Sequence, residues 1–259
     1  MAYFDADARM NLGDDTGQNM RLCLLGATGN SGRRVLSLAL ARGHQVTALV
    51  RRPGALAEAP NLTSQILDYE NDEALCAALA DHDVIINCAG YVTEGERFTS
   101  LVGRIIKAAD KAQGPRGRFW LFGGAALLNV PGSNLIGLDL PGVPKFYEAH
   151  QTNYNAVRAT HLDWSMLCPG PMIDAPDGQG TPGLIVSADQ WPLPRPAFSR
   201  FLPRVATSLA FKQRLPELTI YYEDAAKIIL DHLERNGRFA RKRVGVALPK
   251  GERRFKATR

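Results

Sequence analysis

A chain of 259 residues, 45% hydrophobic and 22% charged, has the size and apolar content of one large globular domain, and no run approaches the roughly 18 apolar residues of a membrane span. The net charge of +5 is unevenly spread: ten Lys or Arg and one acidic residue lie from Arg235 to the end, which reads as a solvated basic tail over 249–259, since no nucleic-acid motif accompanies it. Cys23, Cys76, Cys88 and Cys168 lie far apart without metal-ligand spacing and read as reduced thiols of a cytoplasmic protein.

Residues 1–19 carry Asp5, Asp7, Asp14 and Asp15 and no apolar core, so they read as a disordered extension and not a secretory leader. Residues 22–25 form an apolar run, and Gly26-Ala27-Thr28-Gly29-Asn30-Ser31-Gly32 follows it. Residues 33–41 then have helical spacing. A glycine-rich turn from strand to helix brings free N–H groups to bear on an anion, which makes it a phosphate site. Residues 45–50 alternate as a second strand after the helix stop Gly43 and end at Arg51-Arg52-Pro53. Further strands are expected at 63–67, 83–87, 118–122 and 164–168, with helices at 72–80, 98–112 and 145–161. The stretch 169–216 holds nine prolines and predicts a lobe or lid (171–216) over the cleft, with a helix at 198–214. A strand at 218–220, a helix at 223–235 and a strand at 244–248 complete the pattern. Residues 20–248 therefore read as one α/β domain: a Rossmann-type, doubly wound parallel sheet with a small Pro-rich substrate lobe. Its ligand belongs at the carboxyl ends of the strands, where the strand order switches.

The second strand ends in Arg51-Arg52, where an NAD site would carry a carboxylate for the ribose hydroxyls. Guanidinium groups bind a 2′-phosphate through paired, charge-assisted hydrogen bonds, so the cofactor expected is NADP(H), with NAD(H) the alternative.

Gly26-Ala27-Thr28-Gly29, Asp68, Asn87-Cys88-Ala89-Gly90, Gly123-Gly124-Ala125, Val130-Pro131-Gly132, Leu162-Asp163-Trp164-Ser165 running to Pro169 and Tyr222-Glu223-Asp224 together resemble the atypical short-chain dehydrogenase/reductases. Within them the chain is similar to the NAD(P)H-binding branch that includes NADH-flavin reductase-like proteins, biliverdin reductase B and NmrA-like proteins. The resemblance implies that Gly26, Thr28, Gly29, Asn30, Ser31 and Gly32 hold the pyrophosphate and Arg51 and Arg52 the 2′-phosphate. It places Asp68 and Tyr69 beside the adenine, and Cys88, Ala89 and Gly90 along the path to the nicotinamide. Gly123, Gly124, Pro169, Gly170 and Pro171 would approach the nicotinamide end.

The Ser and the Tyr-x-x-x-Lys pair of the better-known reductases have no counterpart here. The fifth strand runs into Gly123-Gly124-Ala125, and the nearest pairs are Tyr154-x-x-x-Arg158 and Tyr147-x-x-x-Gln151. Tyr147, His150 and Tyr154 are the candidate acids, with a packing role the alternative for Tyr154 and a structural one for His150. Three readings stay open. One is hydride transfer to a small planar acceptor (flavin, quinone or bilin-like), with Trp191 and Phe198 either stacking on it or forming the lobe's own core. The others are a non-catalytic NADP(H) sensor, and a carbonyl reductase or isomerase using one of the three acids. The partner expected is a small-molecule acceptor, with neither membrane nor nucleic acid, on a monomer or homodimer.

Overall fold

The computed structural model describes residues 19–193 and 204–256. An eight-stranded sheet runs in the order β3-β2-β1-β4-β5-β6-β10-β8. Its strands are β1 (Arg21–Leu25), β2 (Gln45–Val50), β3 (Leu62–Ile66), β4 (Val84–Asn87), β5 (Arg118–Phe122), β6 (Asp163–Cys168), β8 (Ile185–Ala188) and β10 (Lys242–Ala247). All neighbours pair in parallel except β10 and β8. The short β7 (Met172–Ile173) and β9 (Ile220–Tyr221) make a separate two-stranded ribbon.

Strand alternation sends successive apolar side chains to opposite faces. Cys23, Leu25, Ile85, Phe119 and Met166 pack beneath α2 (Asp72–Leu79), α3 (Glu96–Gln113) and α4 (Glu148–Arg158). Leu22, Leu24, Val84, Ile86 and Val244 face α1 (Asn30–Ala41) and α6 (Tyr222–Leu230). α1 stops at Gly43, where φ is +81°, and the next N–H, of His44, returns to the Ala39 carbonyl at 3.1 Å. α2 is capped by Asn71, whose Oδ1 accepts the Ala74 N–H at 3.0 Å.

The differences from the sequence reading cluster after residue 140. The helix expected at 145–161 begins as a 3₁₀ turn, Lys145–Tyr147, and α4 ends at Arg158. The helix expected at 223–235 stops at Leu230. β8 was hidden in the Pro-rich stretch: it is an edge strand of four residues with no fully buried side chain, too short for a period to show. Residues 198–203 of the helix expected at 198–214 lie outside the described residues, as do residue 198 itself and residues 1–18; α5 runs Arg204–Leu218. The described part of the Pro-rich stretch has its own apolar cluster, in which Leu193, Phe211 and Leu218 join Val130 and Leu140.

The basic residues after Arg235 are largely built into the fold. Arg243 is buried on β10 and donates to the Leu127 carbonyl and to Asn129 Oδ1. Arg241 donates to the carbonyls of Arg158, Thr160 and Leu162. Arg254 lies 3.8 Å over the Tyr221 ring, beside the buried carboxylate of Asp224.

Candidate functional site

β1 and β4 are neighbours in the sheet although their connections leave in opposite directions, so a crevice opens at their carboxyl ends. The cleft there encloses about 900 Å³, within the range of about 300–1,000 Å³ usual for small-molecule sites.

Its first wall is the loop Gly26 to Ser31. Gly26 turns the chain at φ +77°, and a Cβ there would lie 2.6 Å from the backbone of Cys88 and Ala89, so only glycine lets β1 leave so close to β4. Gly29 is the N-cap of α1 in extended conformation, with no side chain capping the helix and no acidic residue in its first turn. The first N–H groups of α1 thus lack both a partner and a compensating charge, as an anion site requires. Gly32 differs from the others. It is buried, outside the cleft lining, and a Cβ on it would stand 2.0 Å from the Gly26 carbonyl oxygen. Its part is to let the helix pack on the loop, which corrects the expectation that it touches the pyrophosphate.

Arg51 and Arg52, both exposed at the end of β2, line the cleft together with Asp68, Tyr69 and Glu70. Tyr69 is buried, donates its hydroxyl to the Leu49 carbonyl at 2.7 Å, and has its phenol pushed up to about 12 by burial. Asp68 Oδ1 accepts the Glu70 N–H at 3.0 Å, and Arg104 from α3 holds the Glu70 carbonyl at 2.6 Å.

The floor is the exit of β4. Asn87 Oδ1 accepts the Ala89 N–H at 3.0 Å, and Cys88, Ala89 and Gly90 follow along the cleft. Burial pushes the Cys88 thiol up to about 12, so it is a neutral packing group. Beyond it Gly123 ends β5, where a Cβ would meet the sulfurs of Met166 and Cys168 at 2.7 and 2.9 Å. Gly124 stands behind, against His150: a Cβ there would be 3.1 Å from the imidazole Cδ2.

Of the three candidate acids, His150 lines the cleft. It is 8% exposed, with Nδ1 unpartnered, and burial lowers its pKa to about 4. Tyr147 stacks on His150 at 6.2 Å with its own pKa raised by burial, and lies outside the lining. Tyr154 packs edge-on against Trp164 at 5.8 Å and beneath Arg243 at 4.8 Å, also away from the lining. Pro169, Gly170 and Pro171 lie behind the cleft, not in its wall. The Pro169 carbonyl accepts the Ala125 N–H, the Pro171 carbonyl accepts the Ile220 N–H, and Gly170 is pressed against Leu218. Trp191 stacks on Phe211 at 4.2 Å inside the lobe's cluster, so it belongs to that small core and not to an acceptor platform.

Arg97, Phe98, Leu101 and Arg104 of α3, together with Tyr91, Met172 and Tyr222, also line the cleft, and sequence reasoning did not assign them to it. The spacing of 97, 101 and 104 marks one helical face, but it mixes charge with leucine and so carries no apolar signal. Asn30 Nδ2 reaches the Tyr222 hydroxyl at 3.5 Å, which joins the glycine-rich loop to the start of α6. Among the described residues no cluster of three metal-binding side chains occurs, and no helix is long and apolar enough to cross a membrane.

A family model described as NAD(P)H-binding matches residues 26–199. The uncharacterized protein YwnB of Bacillus subtilis is 27% identical over 168 residues, which span 62% of this chain and 76% of that protein. A provisionally assigned exported protein from Burkholderia pseudomallei superimposes with a TM-score of 0.65 at 28% identity, covering 88% of this chain and 99% of the other. A protein of Streptococcus pneumoniae TIGR4, provisionally assigned as an NADH-flavin reductase, gives a TM-score of 0.66 at 22% identity, with 89% of this chain and 100% of that one covered.

Proposed function

The chain belongs to the NAD(P)H-binding family whose model it matches, and from that premise we propose that it is an atypical short-chain dehydrogenase/reductase, an NADPH-dependent oxidoreductase that reduces a small planar acceptor without a protein acid. A dinucleotide laid along the cleft would meet the residues of its lining in turn. Gly26 to Ser31 cradle the pyrophosphate with backbone N–H groups, Tyr69 and Asp68 flank the adenosine, and Arg51 and Arg52 hold the 2′-phosphate. A bound NADPH supplies the hydride.

The observation that carries the reading is the state of His150 at the Gly123 end of the cleft. Burial keeps its imidazole neutral, so at neutral pH it has no proton to deliver as an imidazolium. Tyr147 stacks on His150 outside the cleft lining, and Tyr154 packs against Trp164. What remains to the residues of this end is to orient a flat acceptor and exclude water around it. Flavins, quinones and bilins suit such a site because solvent can protonate them after the hydride arrives.

The test is NADPH oxidation by the full chain across flavins, quinones, bilins and simple carbonyls, followed by absorbance at saturating cofactor. Turnover with planar acceptors, and little with simple carbonyls, is expected. Tight NADPH binding with background turnover throughout refutes the reading and assigns a sensor instead.

A further inference from the structure

We propose that the acidic segment over residues 1–18 docks, within its own chain, on a basic face at the amino ends of β5, β6 and β10. That face lies at the opposite end of the strands from the cleft, so the inference stands apart from the reductase reading. Leu22, Val84, Arg118 and Asp163 are in register across β1, β4, β5 and β6, which sets the amino ends of these strands in one row. Three connections close over that row: residues 114–117 lead into β5, 159–162 into β6 and 231–241 into β10. They are stitched to one another. The Asp163 N–H donates to the Gly117 carbonyl at 2.9 Å, the Asn236 N–H to Asp163 Oδ2 at 2.6 Å, and Arg235 Nη2 to the Pro115 carbonyl at 2.9 Å. Arg116, Arg158, Arg235, Arg238 and Arg241, all exposed, stand on this surface.

Elsewhere Arg21, Arg33, Arg34, Arg42 and Arg104 each lie 2.6–3.4 Å from an Asp carboxylate. On this face the guanidinium groups are held differently. Arg235 and Arg241 donate to carbonyls, Arg238 lies 5.0 Å over the Phe239 ring, and Arg158 lies 5.7 Å over that of Tyr154. Carbonyls and rings fix a guanidinium in place without cancelling its charge. The carboxylates at the margin, Asp81, Asp110 and Glu234, leave the face a cationic excess. Among the described residues no exposed large apolar side chain lies on the three connections, so what the face offers is charge. Residues 1–18 carry the opposite sign, with Asp5, Asp7, Asp14 and Asp15 against Arg9, and they join β1 at this same end of the sheet. β5 is two strand spacings from β1, about 10 Å, and β6 three, about 14 Å. At about 3.3 Å per extended residue, Asp14 and Asp15 can reach about 13–17 Å from Asn19, and Asp5 and Asp7 about 40 Å. The segment is therefore long enough, and its carboxylates well enough spaced, to meet the arginines of both strands.

Trypsin cleavage of the full chain after Arg9, the one Lys or Arg within residues 1–18, tests this. The rate is followed by mass spectrometry and compared with that of a synthetic peptide of residues 1–18. At about 20 mM salt the chain should be cut about tenfold more slowly than the peptide, because several individually weak charge pairs act together. At about 0.5 M salt the two rates should meet, since screening then acts within a few ångströms. Arg116→Glu combined with Arg158→Glu, at positions whose side chains make none of the hydrogen bonds above, should abolish the protection at low salt while melting with the wild type. Cleavage as fast as in the peptide at low salt, protection that persists at high salt, or protection indifferent to the paired variant overturns the proposal. Protection that rises with protein concentration also overturns it and assigns the face to the segment of a second copy. The salt comparison uses the unaltered chain, so it decides even if the variant does not fold.

Discussion

Gly29 and Gly32 are equivalent in the motif and opposite in the structure, and alanine at each separates the two roles. At Gly32 the new methyl would stand 2.0 Å from the Gly26 carbonyl oxygen and 2.7 Å from its carbon, both backbone atoms of the glycine-rich loop. Neither can swing aside as a side-chain tip would, so the overlap costs about 3 kcal/mol, the upper end for overpacking. Alanine's better helix propensity returns about 1 kcal/mol. The net loss of about 2 kcal/mol should lower Tm by about 4–8 °C in a domain of this size. At Gly29 the methyl meets only the Gly26 oxygen, at 3.4 Å, and the backbone (φ −78°, ψ 172°) suits any residue. Losing a glycine N-cap costs only about 0.5–1 kcal/mol, but the methyl enters the cleft where a phosphate oxygen would approach the helix N–H groups. Gly29→Ala should therefore melt within about 4 °C of the wild type yet bind NADPH about tenfold more weakly or worse. Thermal melts and NADPH fluorescence titrations of the two variants check this. A Gly32→Ala protein that melts with the wild type, or a Gly29→Ala protein that is the less stable of the two, would refute the assignment.

Replacing Arg51 and Arg52 together by alanine should raise the NADPH Kd about tenfold or more while leaving that for NADH unchanged, because a charge-assisted hydrogen bond contributes about 1.5–3 kcal/mol; equal losses for both cofactors would contradict a 2′-phosphate role. Burial holds His150 near 4 instead of 6.5 and also lowers His82 and His232, so over that interval the unfolded chain binds more protons than the folded one. Stability should be level above about pH 7 and fall as pH drops from 6.5 toward 4, by about 1.4 kcal/mol per pH unit for each fully buried histidine. His150→Gln should flatten that limb in urea melts, and an unchanged slope would refute it. Asp224 is wholly buried and accepts from the Thr181 N–H and hydroxyl and the Tyr221 N–H, with Arg254 Nη1 3.5 Å away. Asp224→Ala strands these groups and should cost about 3–5 kcal/mol in urea unfolding, and a midpoint unmoved from the wild type would show that the C-terminal segment is not held there.

The legible parts of the site were those written as local conformation. Gly26 had to be glycine for a turn at positive φ, and Arg51 and Arg52 follow directly on a strand whose bounds, 45–50, were readable from alternation. Residues contributed by α3 were not legible. Arg97, Phe98 and Leu101 line the cleft from the first turns of α3, which follows β4 in the chain, and no local pattern states where a helix's mixed face will point. Pro169, Gly170 and Pro171 show the opposite failure: adjacency in sequence to the sixth strand suggested a place in the wall, and packing against Leu218 and Ile220 draws them behind it.

The sequence by itself determined the α/β class, the succession of strands and helices through β6, and the glycine-rich turn into α1, because each depends on residues within a few positions of one another and on periods of 2 and 3.6. Only the tertiary structure decided what depends on distant neighbours. It paired β8 antiparallel to β10 and built Trp191 into a core with Phe211. It separated Gly32 from Gly29 within one loop, through the distance to a carbonyl oxygen six residues back. It turned His150 toward the cleft while Tyr154, four residues on, faces Trp164 and Arg243. Burial is a property of the assembled molecule, and it is burial that leaves His150 neutral.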